Sequence, residues 1–163
     1  MYYLLTTINP SMGKKEGVSP FHVKDIDKKM VVREVANFLL KAKGSKRGKP
    51  YAATFLSNII LTKEVDRDLA VFLINTQLKV CKVYFDLKDV DVGLMSSVLA
   101  GIYRAFQFSE LKVDAFSEYI DMFFKIARIA HFNTAVEAMR VIWTIARSSE
   151  DVKLTSRYYT LLY

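Results

Sequence analysis

The residues best suited to binding chemistry form one short segment, residues 41–49 (KAKGSKRGK). Five of its nine residues are Lys or Arg and none is acidic. Gly44 and Gly48 allow a close approach of the backbone, and the Ser45 hydroxyl can donate to a phosphate oxygen. Clustered cations release counterions when they meet a polyphosphate, so the segment predicts salt-sensitive binding to RNA or DNA without sequence preference. With two lysines of an earlier loop, the predicted nucleic-acid-binding residues are Lys14, Lys15, Lys41, Lys43, Ser45, Lys46, Arg47 and Lys49.

Other interpretations of the same segment do not involve nucleic-acid binding. A solvated basic loop between two helices would have this composition, and so would a localisation signal. A different polyanion, or an acidic protein partner, would also be attracted to it. All of these alternatives rely on the positive charge of the segment, and they differ in whether solvent, a polyanion or a protein lies against it.

Catalytic and metal-binding patterns are poor throughout the sequence. The only histidines, His22 and His131, are far apart, and the single cysteine, Cys81, lies inside an apolar stretch. No Cys/His spacing fits zinc, and no phosphate-binding loop, dinucleotide turn or nucleophile elbow is present. We therefore predict a protein that is not an enzyme and has no cofactor or metal. An enzymatic alternative would need a cleft that gathers His131 or Cys81 with distant carboxylates.

Charge and breaker residues divide the chain at residue 50. Residues 1–50 contain eleven Lys or Arg and four Asp or Glu, whereas residues 51–163 contain thirteen of each, so the whole net charge of +7 is N-terminal. All three prolines also lie in the first 50 residues, and their absence from the rest permits long helices. One cysteine allows no intrachain disulfide, and no apolar run is long enough to span a membrane. No leader peptide is recognisable at the start, so we expect a soluble protein that is cytoplasmic, or part of a virion or nucleoprotein if viral.

Apolar residues recur at steps of three and four behind residues that commonly cap helices. The predicted caps are Thr62, Asp91, Ser109, Asn133 and Ser149. The predicted stripes are Ile26, Met30, Val35, Phe38, Leu39 and Ala42; Val65, Leu69, Phe72, Thr76, Val80, Val83 and Leu87; Leu94, Val98, Leu99, Ile102 and Phe106; Val113, Phe116, Ile120, Phe123, Phe124 and Ala127; and Val136, Met139, Ile142, Trp143 and Ala146. Residues 78–87 also alternate as a strand would, but the helical stripe runs through them. The fold class is therefore predicted as all-α, a compact bundle of about six to seven helices.

The predicted domain organisation places an extended N-terminal arm or loop at residues 1–22. A single helical domain follows at residues 23–163 and includes the basic loop at residues 41–50. The sequence pattern of residues 118–128 recurs at residues 137–147, which we interpret as two helices that pack in the same way. The apolar tail, residues 157–163, is expected to dock, either on its own chain or on another subunit.

A family resemblance is confined to one third of the chain. Leu78-Lys-Val-x-x-Val-Tyr84, with Ser109 and Phe116-x-x-Tyr119, resembles the small helical backbone subunits of RNA-guided CRISPR effectors. These residue types are common in helices and the first 60 residues have no counterpart, so we assign no family.

Two functions fit the sequence. The first is a non-enzymatic subunit that contacts the RNA or DNA backbone through its basic N-terminal segment and forms a homo-oligomer or joins a larger complex. The high content of Phe and Tyr, eleven and nine residues, supports assembly, because aromatic residues dominate interface cores. The second is a helical protein–protein adaptor or structural building block with no nucleic-acid role.

Overall fold

The protein consists of α-helices wherever its structure is described. The computed structural model describes residues 28–41, 47–63, 65–87, 91–149 and 151–163. Its helices are α1 (Lys28–Leu40), α2 (Gly48–Ser57), α3 (Arg67–Leu87), α4 (Val92–Ser109), α5 (Ser117–Ile129), α6 (Phe132–Ser149) and α7 (Val152–Leu162), with a short 3-10 helix at Val113–Phe116. The described ranges contain no strand, so the all-α class and the helical assignment of residues 78–87 are confirmed.

The helices are arranged as successive antiparallel hairpins. Each helix packs against neighbours that are at most two helices away in the chain, and α4 lies at the centre, against α2, α3 and α6. The even-numbered helices run parallel to one another. Thr54 of α2 bonds to Ser97 of α4, and Thr134 near the start of α6 donates to the carbonyl of Val92 at the start of α4.

This arrangement gives the bundle two distinct ends. End A holds the connections α1–α2, α3–α4 and α5–α6, and there Phe85, Val92 and Ile126 line one common pocket. End B holds the other connections, and there Arg67 at the start of α3 pairs with Glu110 just after α4 at 2.8 Å. Helix α1 begins at end B, where its Lys28 ammonium contacts Asp66 at 2.6 Å.

The predicted apolar stripes are correct for α4 and α5 and partly wrong for α1, α3 and α6; in α6, Val136 and Trp143 are exposed. In α3, Val65, Val83 and Leu87 are exposed, and the buried face is Leu69, Ala70, Leu73, Ile74, Thr76, Gln77, Leu78, Val80 and Cys81. In α1 the buried residues are Val32, Ala36 and Leu39, while Met30 faces solvent. Steps of three and four can be drawn in more than one register through an apolar-rich helix, and only the packing partners select one.

Only one of the five predicted caps occupies an N-cap position. Asp91 caps α4, where its carboxylate accepts from the backbone N–H groups of Gly93 and Leu94. Helix α7 is capped by Asp151 rather than by Ser149, which is the last residue of α6. Thr62 precedes α3 by five residues, Ser109 ends α4, and Asn133 already lies inside α6.

The remaining predictions concern the N-terminal arm, the basic loop, the repeated sequence and the C-terminal tail. The arm at residues 1–22 lies outside the described residues, as do residues 42–46 of the basic loop. The repeated sequence of residues 118–128 and 137–147 lies on α5 and α6, which pack against each other as one hairpin. The tail docks on its own chain, because α7 packs on α6 and Arg157 pairs with Asp121 of α5. None of the described helices is both long and apolar enough to cross a membrane.

Candidate nucleic-acid interface

The charged side chains are distributed unevenly between the two ends of the bundle. Each described charged residue is assigned to one end according to the half of its helix, or the connection, in which it lies; Glu34 and Arg157 lie at the midpoints of their helices and are assigned to neither end. Eight cationic and three acidic residues then belong to end A: Lys41, Arg47, Lys49, Lys79, Lys82, Lys125, Arg128 and Arg140, against Asp86, Asp91 and Glu137. The described part of end A therefore has an excess of five positive charges.

End B is close to electrically balanced. It has nine cationic and seven acidic residues: Lys28, Lys29, Arg33, Lys63, Arg67, Arg104, Lys112, Arg147 and Lys153, against Asp66, Asp68, Glu110, Asp114, Glu118, Asp121 and Asp151. A polyanion is thus attracted more strongly to end A, and the difference comes mainly from carboxylates that end A lacks.

The basic segment predicted from sequence adjoins end A. Lys41 follows the last residue of α1, Arg47 precedes α2, and both are exposed. Lys43, Ser45 and Lys46 of this segment, and Lys14 and Lys15 of the earlier loop, lie outside the described residues.

Lys49 is the predicted site residue that the structure places differently. Helix α2 begins at Gly48, inside the range predicted as loop, and turns Lys49 toward α3. Lys49 is only 8% exposed, and its ammonium lies 5.4 Å from the centroid of the Tyr84 ring. A lysine in that position stabilises the packing of α2 on α3 by a cation–π contact and has little surface left for a phosphate.

Besides Arg140, which pairs with Glu137, four exposed cations of end A were not predicted as site residues: Lys79 and Lys82 on α3, and Lys125 and Arg128 on α5. They are spread over 50 residues of a segment whose net charge is zero, so no local run of charge marks them. The Lys82 ammonium lies 5.9 Å from the centroid of Tyr119 on α5, which places the outer surfaces of α3 and α5 side by side.

An apolar pocket opens between the α3–α4 and α5–α6 connections at end A. It has a volume of about 220 Å³ and is lined by Phe85, Val92, Met95, Ile126, Ile129, Ala130, His131 and Thr134. Two large apolar side chains of this part of the chain face solvent: Ile129 of the lining is 77% exposed, and Phe132, which follows His131 of the lining, is 80% exposed. A pocket of this size is smaller than the ~300–1,000 Å³ clefts that hold drug-sized ligands, so it accommodates a single ring or side chain.

The described candidates for catalysis, Cys81 and His131, differ in exposure and have no contact with each other. Cys81 is fully buried in α3 with its thiol 3.4 Å from the sulfur of Met95, whereas His131 is exposed in the α5–α6 connection. No three His, Cys, Asp or Glu side chains come together as a metal site within the described ranges. The Cys81 thiol therefore serves packing, and His131 belongs to the rim of the pocket.

The Cys81 thiol is expected to resist modification in the native protein. Burial raises its pKa to about 12, so at neutral pH almost none of it is the reactive thiolate. We expect labelling by a disulfide reagent at pH 8 to proceed only as fast as α3 opens, and to become immediate in denaturant. Stoichiometric labelling of the folded protein within seconds would contradict the buried position.

Comparison with known proteins relates most of this chain to parts of much longer ones. Over 136 residues, 83% of the chain, it is 32% identical to human CCAAT/enhancer-binding protein zeta and 29% identical to the mouse protein of that name. Over 76 residues it is 30% identical to the ribosome biogenesis protein NOC1 of Chaetomium thermophilum. The chain is similar to a segment of each.

The match covers 13% of the human and mouse proteins and 7% of the Chaetomium protein. The chain therefore spans about an eighth of the length of the first two relatives. It matches no protein-family profile.

Proposed function

We propose that this protein is a non-enzymatic helical subunit that binds the RNA backbone through end A and the adjoining basic segment, within a larger intracellular assembly. The observation that carries the proposal is the excess of positive charge at end A, which is continuous with the basic residues of the chain between α1 and α2. Within the described part of the chain, the site has no convergent polar groups of the kind that select a small substrate, and its cations other than Lys49 are exposed and spread over several helices. Such a surface fits a long polyanion better than a small anion.

The name of one relative supports RNA as the polymer and a larger complex as the setting. This relative is named a ribosome biogenesis protein, and ribosome assembly takes place on RNA. Two others are named for binding an enhancer element of DNA, so DNA is the second polymer to be compared.

Neutralising the cations of end A is expected to weaken RNA binding about tenfold and to reduce its salt dependence. Two variants remove four cations each: Lys41/Lys43/Lys46/Arg47→Ala in the basic segment, and Lys79/Lys82/Lys125/Arg128→Ala on α3 and α5. The measurement is the dissociation constant for a structured RNA across a salt series. The slope of the logarithmic plot should fall by about one for every phosphate that a variant no longer binds.

A matched control removes four exposed cations from end B, in the variant Lys63/Lys112/Arg147/Lys153→Ala. It changes the net charge by the same amount, so it separates a local contact from a general electrostatic effect. The proposal fails if the control weakens binding as much as the other two variants, or if the wild-type affinity does not respond to salt.

A protein–protein adaptor is the second candidate, and the C-terminal surface supports it. Trp143 of α6 stacks at 5.2 Å on Tyr158 of α7, and the outer surface of α7 exposes Val152, Tyr159 and Leu162. Exposed aromatic and apolar side chains on one surface are typical of interfaces. A wild-type protein that binds neither RNA nor DNA at low salt would favour this candidate.

A further inference from the structure

The pocket at end A lies within a positively charged surface and beside exposed rings. His131 lines the pocket and Phe132 follows it with most of its ring in solvent, while Arg128 comes directly before Ile129 of the lining. Recognition of unpaired RNA uses the same combination: cations for the phosphates, and aromatic or guanidinium planes on which an unstacked base is laid.

We infer that end A takes single-stranded RNA, with one unstacked base held in this pocket against Phe132 and His131. The inference rests on the proposed function and names the form of RNA. A duplex keeps its bases stacked inside and would meet only the charges, leaving the pocket unused. A base from a single strand can use the ring, the apolar floor and the neighbouring cations together.

The charges around the pocket also orient the strand. Lys125 and Arg128 belong to the α5–α6 side, whereas on the α3–α4 side the carboxylates of Asp86 and Asp91 offset the charges of Lys79 and Lys82. Asp91 has one oxygen engaged as the cap of α4, but both carboxylates still repel phosphate. The phosphates therefore follow the α5–α6 side, and Lys125 and Arg128 are the residues that meet them.

A protein partner is the competing occupant, since Ile129 and Phe132 are large and apolar. Protein interfaces are depleted of lysine, although they are enriched in arginine and aromatic residues. Here three of the four exposed cations on α3 and α5 at end A are lysines: Lys79, Lys82 and Lys125. That composition favours a nucleic-acid strand.

The test compares two RNA probes on the full chain. One is a 12-nucleotide single strand that carries the fluorescent base 2-aminopurine at its centre, and the other is the same sequence in a duplex. Phe132→Ala removes the exposed ring, and Ala130→Leu fills the pocket without changing the charge. Tyr163→Ala is the control, because it removes a fully exposed ring that is not part of the pocket lining.

We expect both pocket variants to bind the single strand about tenfold more weakly, with the salt slope and the duplex affinity unchanged. The fluorescence of 2-aminopurine should be quenched on binding to wild type and to Tyr163→Ala, and much less with Phe132→Ala. Circular dichroism confirms that the variants are folded.

Three results would overturn the inference, and each has a different meaning. If the pocket variants bind the single strand as wild type does while the charge variants bind it weakly, the base pocket is wrong and RNA binding survives. If wild type binds no RNA, both proposals fail. Unchanged RNA binding together with loss of a protein that co-purifies with wild type would show that the pocket is a protein-docking site.

Discussion

Replacing Gly101 by alanine is expected to lower the free energy of unfolding by about 2 kcal/mol, although alanine favours helix over glycine by about 1 kcal/mol. Gly101 lies on the central helix α4, opposite Gln77 of α3. A Cβ atom at this position would lie 2.1 Å from Nε2 of Gln77 and 2.7 Å from its Cδ. The Gln77 side chain is only 1% exposed, so it cannot move into solvent to make room.

A double-mutant cycle tests whether the Gln77 amide is the cause. In a Gln77→Ala background the obstacle is gone, and Gly101→Ala should then be neutral or stabilising by about 1 kcal/mol. The measurement is urea unfolding followed by the fluorescence of Trp143. Equal effects of Gly101→Ala in the two backgrounds would show that the two residues do not compete for this space.

Replacing Asp66 by alanine is expected to lower the free energy of unfolding by about 3 kcal/mol at neutral pH, since removing one partner of a largely buried ion pair costs ~3–5 kcal/mol. Asp66 is buried between α1 and α3, and its Oδ2 accepts from the Lys28 ammonium at 2.6 Å and from the Thr62 backbone N–H at 2.9 Å. The Lys28 side chain is 28% exposed, so its ammonium can be partly hydrated once Asp66 is removed. We therefore expect the loss of stability to lie at the lower end of this range.

The destabilisation caused by Asp66→Ala should disappear in acid. Burial raises the pKa of Asp66, but the hydrogen bonds from Lys28 and Thr62 and the charge of Lys28 together bring it below the ordinary 3.8. A carboxyl whose pKa is lower in the folded state stabilises the fold above its unfolded pKa, and this contribution is lost as the pH falls through the folded pKa. The difference in stability between wild type and Asp66→Ala should therefore be constant near neutrality and shrink below pH 3.8.

Asp121→Ala is the matched control for Asp66. Asp121 pairs with Arg157 at 2.8 Å, but its side chain is 75% exposed. We therefore expect Asp121→Ala to lower the free energy of unfolding by less than about 1 kcal/mol. Asp66→Asn separates charge from shape, because the amide oxygen can still accept from Thr62. An Asp66 variant as stable as the Asp121 variant would contradict a structural role for the Lys28 pair.

The all-helical class follows from local sequence, whereas helix starts depend on geometry that local sequence does not show. Asp91 was predicted correctly as a cap because the apolar stripe of α4 begins three residues after it, at Leu94. Before α7, Ser149 and Asp151 compete, and Asp151 is used because α6 continues through Ser149. Before α3, Asp66 accepts from the backbone of Thr62, so the polar groups of this loop serve the ion pair with Lys28 instead of a cap at Thr62.

The candidate site could be predicted only where its charges are consecutive. The segment around Lys41 and Arg47 is visible as a run of cations in the sequence. Lys82 and Lys125 are separated by a full hairpin, and only the parallel course of α3 and α5 brings them to the same end. Lys49 looked like part of the run, but the start of α2 at Gly48 turns it inward, toward Tyr84.

The packing of each helix on near neighbours in the chain also determines how this protein should fold and open. Since no described helix packs against one more than two helices away, most contacts close short loops of chain, and such topologies fold in microseconds to milliseconds. Opening can begin at α1 or α7, each of which is covered on fewer sides, while α4 remains protected by helices before and after it in the chain. Amide exchange should accordingly be slowest in α4 and faster toward both ends of the described chain.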